Sequence, residues 1–460
     1  MYKINFETPI HVHFMGIGGI SMSGFAMLLH SLGFTVTGSD NNESEITDKL
    51  EAMGIRIAYG QKAENISSDI DLVVYTAAIH PDNPEFIAAK DAGIPMMDRA
   101  EMVGQVMKNY QNAIAVSGTH GKTTTTSMLS HILLNNKLDP TISVGGILPL
   151  IDGNMYIGKS QNFITEACEY TNSFLKFHPT LGIILNIEED HMDFFKDIND
   201  IRHSFHSFAK LIPSDGLLVI NKEIDNYTEI TDGLACQVLT YSTKDSDADY
   251  YAKDITYDDA GCGSYHLIVK GEDKGEIHLQ VVGAHNVSNS LAAICATSVF
   301  SLDFEAVKDG IFSFTGTNRR FQMKGKIGGV TIIDDYAHHP TEIRATLEAA
   351  SRYTAKTRWC VFQPHTYTRT KAFLKDFASA LSLADKVVLA DIYAAREADP
   401  GDISSLDLKK ELEKLGTETY YFPSFDEIEN FLLQNCIDGD LLITMGAGNV
   451  DKIGESLLGL

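Results

Sequence analysis

Twice in this chain a short apolar run breaks at glycines and restarts as a helix. His11–Met15 runs into Gly16, Gly18 and Gly19, and then into a helical pattern over Ser21–Leu32. Ala113–Ser117 runs into Gly118 and Gly121, and a helical pattern follows from Lys122. Parallel strands need a long crossover to return, so alternating apolar runs and amphipathic helices point to βα repetition. The rhythm continues along the chain. Phe34–Gly38, Leu72–Thr76, Asn162–Thr165, Leu181–Asn186 and Gly216–Asn221 read as strands. So do Val330–Asp334, Arg358–Phe362, Lys386–Ala390, Thr419–Phe422 and Leu441–Met445. Helices are predicted over Glu45–Met53, Asn83–Ala92, Asn286–Phe300, Thr341–Ser351, Thr370–Ser382, Leu406–Leu415 and Ile428–Gln434. His266–Val269 and Glu276–Val282 read as paired strands, and the acidic, tyrosine-rich Thr240–Gly261 as a solvated hairpin or insertion. The fold class is α/β, with breaks near Lys108–Asn112 and near Thr315.

At roughly 150 residues per domain, 460 residues allow about two to four domains. Acidic residues number 62 against 37 basic ones, a net charge of −25. That balance argues against nucleic acid or an anionic membrane as a partner held by overall charge. A hydrophobic content of 44% excludes a disordered acidic polymer. The cysteines (Cys168, Cys236, Cys262, Cys295, Cys360, Cys436) are scattered without a C-x-x-C pair, as expected of thiols in a reducing compartment. Met1–Pro9 has no basic flank followed by a long apolar stretch, so no signal peptide is expected. No run reaches ~18 apolar residues, so no membrane insertion is expected. The expected location is the cytoplasm. Nothing in the sequence speaks to oligomeric state.

The strongest local signal is Ser117-Gly118-Thr119-His120-Gly121-Lys122-Thr123-Thr124. Glycines let backbone N–H groups approach phosphate oxygens, a helix N-terminus adds a favourable dipole, and a lysine neutralises β/γ charge. Thr123 stands where a hydroxyl can ligate Mg²⁺. The usual G-x-x-x-x-G-K-[ST] pattern would place its first glycine where Val116 stands, so the form here is the shorter G-x-x-G-K-T. Binding of a nucleoside triphosphate is the expectation.

The other glycine loop, Met15-Gly16-Ile17-Gly18-Gly19-Ile20-Ser21, departs from G-x-G-x-x-G because Ser21 occupies the third glycine position. Asp40 closes the next strand, about where an acid would meet a ribose. The loop is open to three readings: a nicotinamide cofactor, another nucleotide or diphosphate, and a structural turn.

Glu166 and Glu169 follow one expected strand; Glu188, Glu189, Asp190, His191 and Asp193 follow another. Strand carboxyl ends are where doubly wound folds bind ligands, and Mg²⁺ wants oxygen ligands beside phosphates. Arg319 and Arg320 sit in a loop begun by Gly316, where arginines can clamp a phosphoryl group. Asp334-Asp335-Tyr336-Ala337-His338-His339 and Gln363-Pro364-His365-Thr366-Tyr367-Thr368-Arg369 again end strands.

Together these motifs resemble the ATP-dependent Mur ligases of peptidoglycan synthesis, over essentially the whole chain. The likeness rests on His13–Gly24, Gly118–Thr126, Glu166–Leu175, Asn186–Asp193, Gly283–Asn289, Asn318–Phe321, Asp334–Glu342 and Gln363–Lys371. The resemblance implies three domains: a Rossmann-like 1–109 for a UDP-sugar, a central P-loop ATPase-type 110–315 with a mostly parallel sheet, and a Rossmann-like 316–460 that binds the amino acid and completes the ATP site. It implies that Gly16, Ile17, Gly18, Gly19 and Ser21 contact the UDP-sugar, and Asp40 its uridine end. Gly118, Thr119, His120, Gly121, Lys122, Thr123 and Thr124 would hold ATP, with His285 and Asn289 at adenine and Arg320 and Asp335 reaching over. Thr123, Glu169 and His191 would ligate Mg²⁺, with Glu166 as the substitute for Glu169. Tyr336, His338 and Arg369 would form the amino-acid site, and Thr366 stands where some members carry an arginine. Lys122, His191, Arg320 and His338 would do the catalytic work. The implied reaction joins L-alanine to the carboxylate of UDP-N-acetylmuramate, using ATP through an acyl phosphate. The alternatives are joining a preformed tripeptide to the same sugar nucleotide, and non-catalytic sensing of a UDP-sugar or nucleotide.

Overall fold

A computed structural model describes residues 3–395 and 397–460 of the chain. Three sheets organise it. The first has five parallel strands in the order Arg56–Tyr59, Thr35–Asp40, His11–Met15, Leu72–Tyr75, Met96–Asp98. Strand order reverses direction beside His11–Met15, the place where open α/β sheets bind ligands. Gly16 leaves the sheet there.

The second sheet has ten strands. Asn112–Ser117 lies parallel between Leu181–Ile184 and Asn162–Ala167. Its apolar run is buried from Ala113 to Ser117, as a strand covered on both faces must be. One flank continues through Leu217–Asn221 and Gln237–Ser242. The acidic segment expected to be a solvated insertion belongs to this sheet instead. Tyr250–Tyr257 pairs with Gln237–Ser242 and with Cys262–Val269. The Asp249 carboxylate accepts from the Thr240 amide (2.8 Å) and hydroxyl (2.9 Å) and ties the turn down. Its acids are turn and edge residues of a strand that also carries buried Ala252. The expected pair of strands is present, longer than read, as Cys262–Val269 against Glu272–Val282.

The third sheet has six strands, ordered Gln322–Ile327, Val330–Asp335, Leu441–Met445, Arg358–Phe362, Lys386–Leu389, Glu418–Tyr421. Only the first pair is antiparallel. The single helix expected over 370–382 is two, Tyr367–Ala372 and Leu374–Leu381, parted at Phe373.

The first two sheets share one buried core. Phe25, on helix Ile20–Ser31, meets Phe163 of the second sheet edge-on at 6.4 Å, and Tyr110 stacks on Phe163 at 5.1 Å. The helix that begins at the first glycine loop is thereby fixed against the strands that carry the phosphate loop. All six cysteines are free. Among the described residues no helix is long and apolar enough to cross a membrane.

Candidate active site

The phosphate loop leaves Asn112–Ser117 at Gly118 and enters helix Lys122–Asn135 at Gly121. Gly118 and Gly121 have φ of +141° and +83°, a region costly for residues with a Cβ. Asn186 clasps the loop from the neighbouring strand end. Its side chain accepts from the His120 amide at 2.8 Å and donates to the His120 carbonyl at 3.1 Å. Lys122 folds back over the loop. Its ammonium donates to the carbonyls of Gly118 (2.5 Å) and Thr119 (3.1 Å) and to Glu169 at 3.0 Å. Burial works against that charge, but Glu169 beside it prevails and the net pKa is raised.

Glu169 is almost fully buried and its second oxygen, Oε1, finds no hydrogen-bond partner among the described residues. His191 Nε2 lies 3.7 Å from that oxygen. His191 holds a φ of +55°, uncommon for a residue with a side chain, and its ring stacks on Tyr170 at 4.4 Å. Burial keeps its pKa down, which leaves the imidazole neutral. Glu166 is not the free acid of the two. It lies within strand Asn162–Ala167, and its carboxylate accepts from the Gly145 amide at 2.5 Å.

The acids beside His191, read from sequence as joint metal ligands, have other partners. Glu188 faces His120 at 3.5 Å and accepts from the Thr341 hydroxyl at 2.7 Å. Asp190 takes Arg369 at 3.0 Å, in a pair about nine-tenths buried, and its carboxyl stays well below the usual range: burial would raise it, but the Arg369 charge outweighs that. Asp193 accepts from the Tyr170 hydroxyl at 2.8 Å. His120, Glu188 and His339 offer donor atoms within 4.8 Å of one another. The His339 ring is already spent, however: Nε2 donates to the Glu189 carbonyl at 3.1 Å, and Nδ1 accepts from the Thr341 amide at 3.3 Å. Burial would lower the His120 pKa, yet the carboxylates of Glu188 and Glu342 beside it lift it to about 9. The trio is the His120–Glu188 ion pair with a neutral His339 ring against it, and it helps dock the third sheet on the second.

The adjacent arginines do different work. Arg319 is structural: Nε donates to Asp334 at 3.0 Å, and the terminal nitrogens donate to the Gly448 (2.9 Å) and Gly446 (2.8 Å) carbonyls. Arg320 faces the site, 3.8 Å from Glu342 and over the Tyr336 ring at 5.4 Å. Asp335 ends its strand with both oxygens engaged, by the Phe321 and Ala337 amides at 2.8 Å each. Burial lifts it to about 6. Next to Tyr336 stands His338. Its Nδ1 is 3.0 Å from the Tyr336 carbonyl, which can only accept, so the proton is on Nδ1 and Nε2 keeps its lone pair. Burial holds its pKa near 4, so the ring is neutral at pH 7. The Arg369 fork is closed, with Nε and Nη2 on Asp190 Oδ1 and Nη1 on His365 Nδ1 at 3.2 Å.

A cavity of about 490 Å³ opens between the second and third sheets. His120, Gly121, Thr124, Asn289, His285 and Arg320 are in its wall. Asn289 abuts the phosphate loop, with its Oδ1 2.5 Å from where a Gly121 Cβ would be. Burial brings His285 to about 4, so it too is neutral.

The first glycine loop spends its own amides. Those of Gly16 and Ile17 bond the Ser39 carbonyl (2.8 and 3.0 Å), that of Gly18 bonds Asp40 Oδ2 (2.9 Å), and that of Gly19 the Gly16 carbonyl (3.2 Å). The Ile17 side chain is fully buried and offers nothing to a ligand. Asp40 braces the loop instead of pointing away from it. The amides not used within the loop are those of the first turn of helix Ile20–Ser31, whose N-cap Gly19 has no side chain to cover them. Arg99, which the sequence reading did not single out, donates to the Ser21 hydroxyl at 3.3 Å and brings a cation to that turn. It follows the strand Met96–Asp98, three residues long, too short to stand out as a period.

Three family models match consecutive stretches: the Mur ligase family catalytic domain over 11–111, the Mur ligase middle domain over 116–297, and the Mur ligase glutamate ligase domain over 319–448. The chain belongs to the Mur ligase family. It is 61% identical to the UDP-N-acetylmuramate–L-alanine ligase of Agathobacter rectalis, with all of both chains covered. It is similar to the crystal structure of the UDP-N-acetylmuramate–alanine ligase of Thermotoga maritima, at 29% identity, 98% coverage of each chain and a TM-score of 0.81. A murein peptide ligase from Psychrobacter arcticus follows at 25% identity, 98% coverage of each and 0.72.

In this Mur ligase the expected residues form two groups that meet at His120. Lys122, Glu169 and His191 form one, and Arg320, Asp335, Tyr336, His338 and Arg369 the other. Thr123, nearly buried, starts the helix beside Lys122. Glu342 was given no role from sequence, and Asp190 and His339 were read only as members of strand-end clusters; all three tie the groups together. Glu342 showed in sequence only as an acid three residues into a helix, an ordinary capping position.

Proposed function

We propose that this protein is an ATP-dependent ligase that joins L-alanine to the carboxylate of UDP-N-acetylmuramate, in cytoplasmic peptidoglycan precursor synthesis. Its full-length identity to ligases of that name supports the substrates. One observation carries the chemistry: a lysine-bearing phosphate loop, an unsatisfied buried carboxylate oxygen, an arginine and a neutral histidine converge where two sheets dock. Residues 1–109 serve the UDP-sugar, 110–315 the ATP phosphates, and 316–460 the amino acid.

A carboxylate is a poor electrophile. Transfer of the γ-phosphoryl group to its oxygen gives an acyl phosphate and ADP. The amine of alanine then attacks the acyl carbon, phosphate leaves, and an amide forms. Lys122 and Arg320 stabilise the charge that moves between oxygens in both steps. The Nε2 lone pair of His338 accepts one proton of the ammonium and relays it outward, since Nδ1 already holds one, and the second proton, lost as the amide forms, leaves with the phosphate. Arg369 pairs the alanine carboxylate, which requires exchange of Asp190 for substrate. The diphosphate of the UDP-sugar rests on the first turn of helix Ile20–Ser31, with Arg99 beside it. His285 and Asn289 meet adenine.

A divalent cation fits the residues present. Glu169 Oε1 lacks a hydrogen bond, His191 Nε2 is neutral and near it, and the Thr123 hydroxyl is on the adjacent helix start. When bound, Mg²⁺ supplies charge neutralisation to the β- and γ-phosphate oxygens.

The test is ADP release measured with each component omitted in turn. Release that needs UDP-N-acetylmuramate, alanine and Mg²⁺ together is expected. Turnover that no amine stimulates refutes the assignment. A tripeptide replacing alanine at full rate would assign the peptide-joining activity instead, and ligand binding without ADP release would favour a sensor.

A further inference from the structure

Glu342 is the third residue of helix Pro340–Ala350, and its carboxylate does more than cap that helix. Oε2 accepts from the amides of His338 (3.1 Å) and His339 (3.3 Å), which is the capping role. The same oxygen lies 3.3 Å from His338 Nδ1. Oε1 lies 3.2 Å from His120 Nδ1 on the phosphate loop and 3.8 Å from the Arg320 guanidinium. One carboxylate, 13% exposed, therefore touches the phosphate loop, the arginine facing it, and the histidine assigned as base. These belong to segments 200 or more residues apart in sequence, at position 120 and positions 320–342.

We propose that Glu342 is a positioning residue: it docks the third sheet on the phosphate loop through His120 and, by that contact, sets Arg320 and His338 in place together. This deepens the ligase assignment and rests on it. The physical reason is exclusion of partial assemblies. With the sheets apart, the carboxylate faces water and loses His120. Arg320 and His338 are then held only from their own side. When the sheets dock, a cation on the phosphate loop meets the carboxylate, and a buried charge without its partner is costly. Docking and assembly of both reacting ends are one event. Phosphoryl transfer thus begins only when the base for the second step is already placed, which limits loss of the acyl phosphate to water.

A mere cap and a coupling residue respond differently to E342Q. Glutamine at this position caps as glutamate does, but it cannot pair with two cations. E342D keeps the charge and shortens the reach. Two readouts are taken on the full-length protein. The first is steady-state ligation. The second is compaction on adding a non-hydrolysable ATP analogue, read by small-angle X-ray scattering. For both variants we expect a lowered melting temperature with the protein still fully folded at the assay temperature, a fall in kcat of about tenfold or more, KM for UDP-N-acetylmuramate within about twofold, and weaker compaction. Wild-type kcat in E342Q overturns the proposal. So does a fall in kcat with full compaction, or a fall explained by unfolding at the assay temperature in both variants. If the wild type itself joins no alanine while E342Q still loses compaction, the ligase assignment fails and the docking role stands.

Discussion

His120 sets burial directly against two carboxylates, so its titration is a sharp test of the interface. Burial alone drives a histidine toward the neutral form, by several pKa units in the extreme. Against that stand Glu342 at 3.2 Å and Glu188 at 3.5 Å. At an effective dielectric of about 20, each contact is worth roughly 5 kcal/mol to an imidazolium. The carboxylates win, and the pKa rises from 6.5 to about 9. A shift of that size corresponds to roughly 3 kcal/mol. The folded pKa is the higher one, so this contribution is fully present below pH 6.5 and is lost as pH rises through about 9. Histidine-labelled protein followed by NMR from pH 5 to pH 10 reads it directly, with His120→Gln assigning the signal. The stability gap between wild type and that variant should also close by roughly 3 kcal/mol over the upper half of the range. A His120 signal titrating at or below 6.5 would refute the reasoning, because it would mean that the sheets do not dock through these carboxylates in solution.

Three further outcomes follow from single contacts. Glu169→Gln removes the charge beside Lys122 and the unsatisfied oxygen, so kcat for ADP release should fall by about 10²-fold or more with the fold intact by circular dichroism; near-normal turnover would exclude Glu169 from the phosphate site. Asp190→Asn leaves the Arg369 guanidinium, 10% exposed, without its counter-charge. Docking should weaken by about 3 kcal/mol, visible as faster trypsin cleavage between the second and third sheets, and an unchanged digestion pattern would count against the pair. Gly16→Ala puts a Cβ 2.6 Å from the Thr76 methyl at a φ of +79°. KM for the UDP-sugar should rise about tenfold while KM for ATP stays put, and equal changes in both would remove the loop from sugar binding.

Sequence alone carries most of the architecture, for a physical reason. Strands covered on both faces must be apolar throughout, so Ala113–Ser117, Leu181–Ile184 and Leu441–Met445 announce themselves. Gly118 and Gly121 stand out because their backbone angles tolerate little else. Met96–Asp98 and Arg56–Tyr59 are three and four residues long and partly exposed, and leave no such mark. Tyr250–Tyr257 was hidden by the acids that flank it: with Asp245, Asp247 and Asp249 before it and Asp258 and Asp259 after it, a strand looks like a solvated insertion when neighbours are unknown. At the site, sequence names the chemical types but not their partners. Glu166 and Glu169 are alike in type, and their contacts separate them: the Gly145 amide holds Glu166, while Lys122 meets Glu169 and leaves its Oε1 free. Ile17 sits among glycines that read as a ligand loop, and its side chain is core. Glu188, Asp190 and Glu342 are acids near strand or helix ends, and what each does depends on a cation from another part of the chain.

That pairing also accounts for how a chain of net charge −25 can serve anionic substrates. The site is electrostatically closed on itself. Lys122 holds Glu169, Arg369 holds Asp190, and Arg320 and His120 share Glu342. Each cation that would meet a phosphate or a carboxylate already has an acid of the protein in hand. An incoming anion gains only the difference between its own contact and the one it replaces, which keeps a buried cationic site from holding any passing polyanion. Selectivity then comes from geometry: a substrate must displace several protein carboxylates at once to recover what it loses in leaving water. The surplus acids elsewhere on the surface repel, and the paired acids in the site compete; both favour a ligand that makes the whole set of contacts over one that makes a single contact.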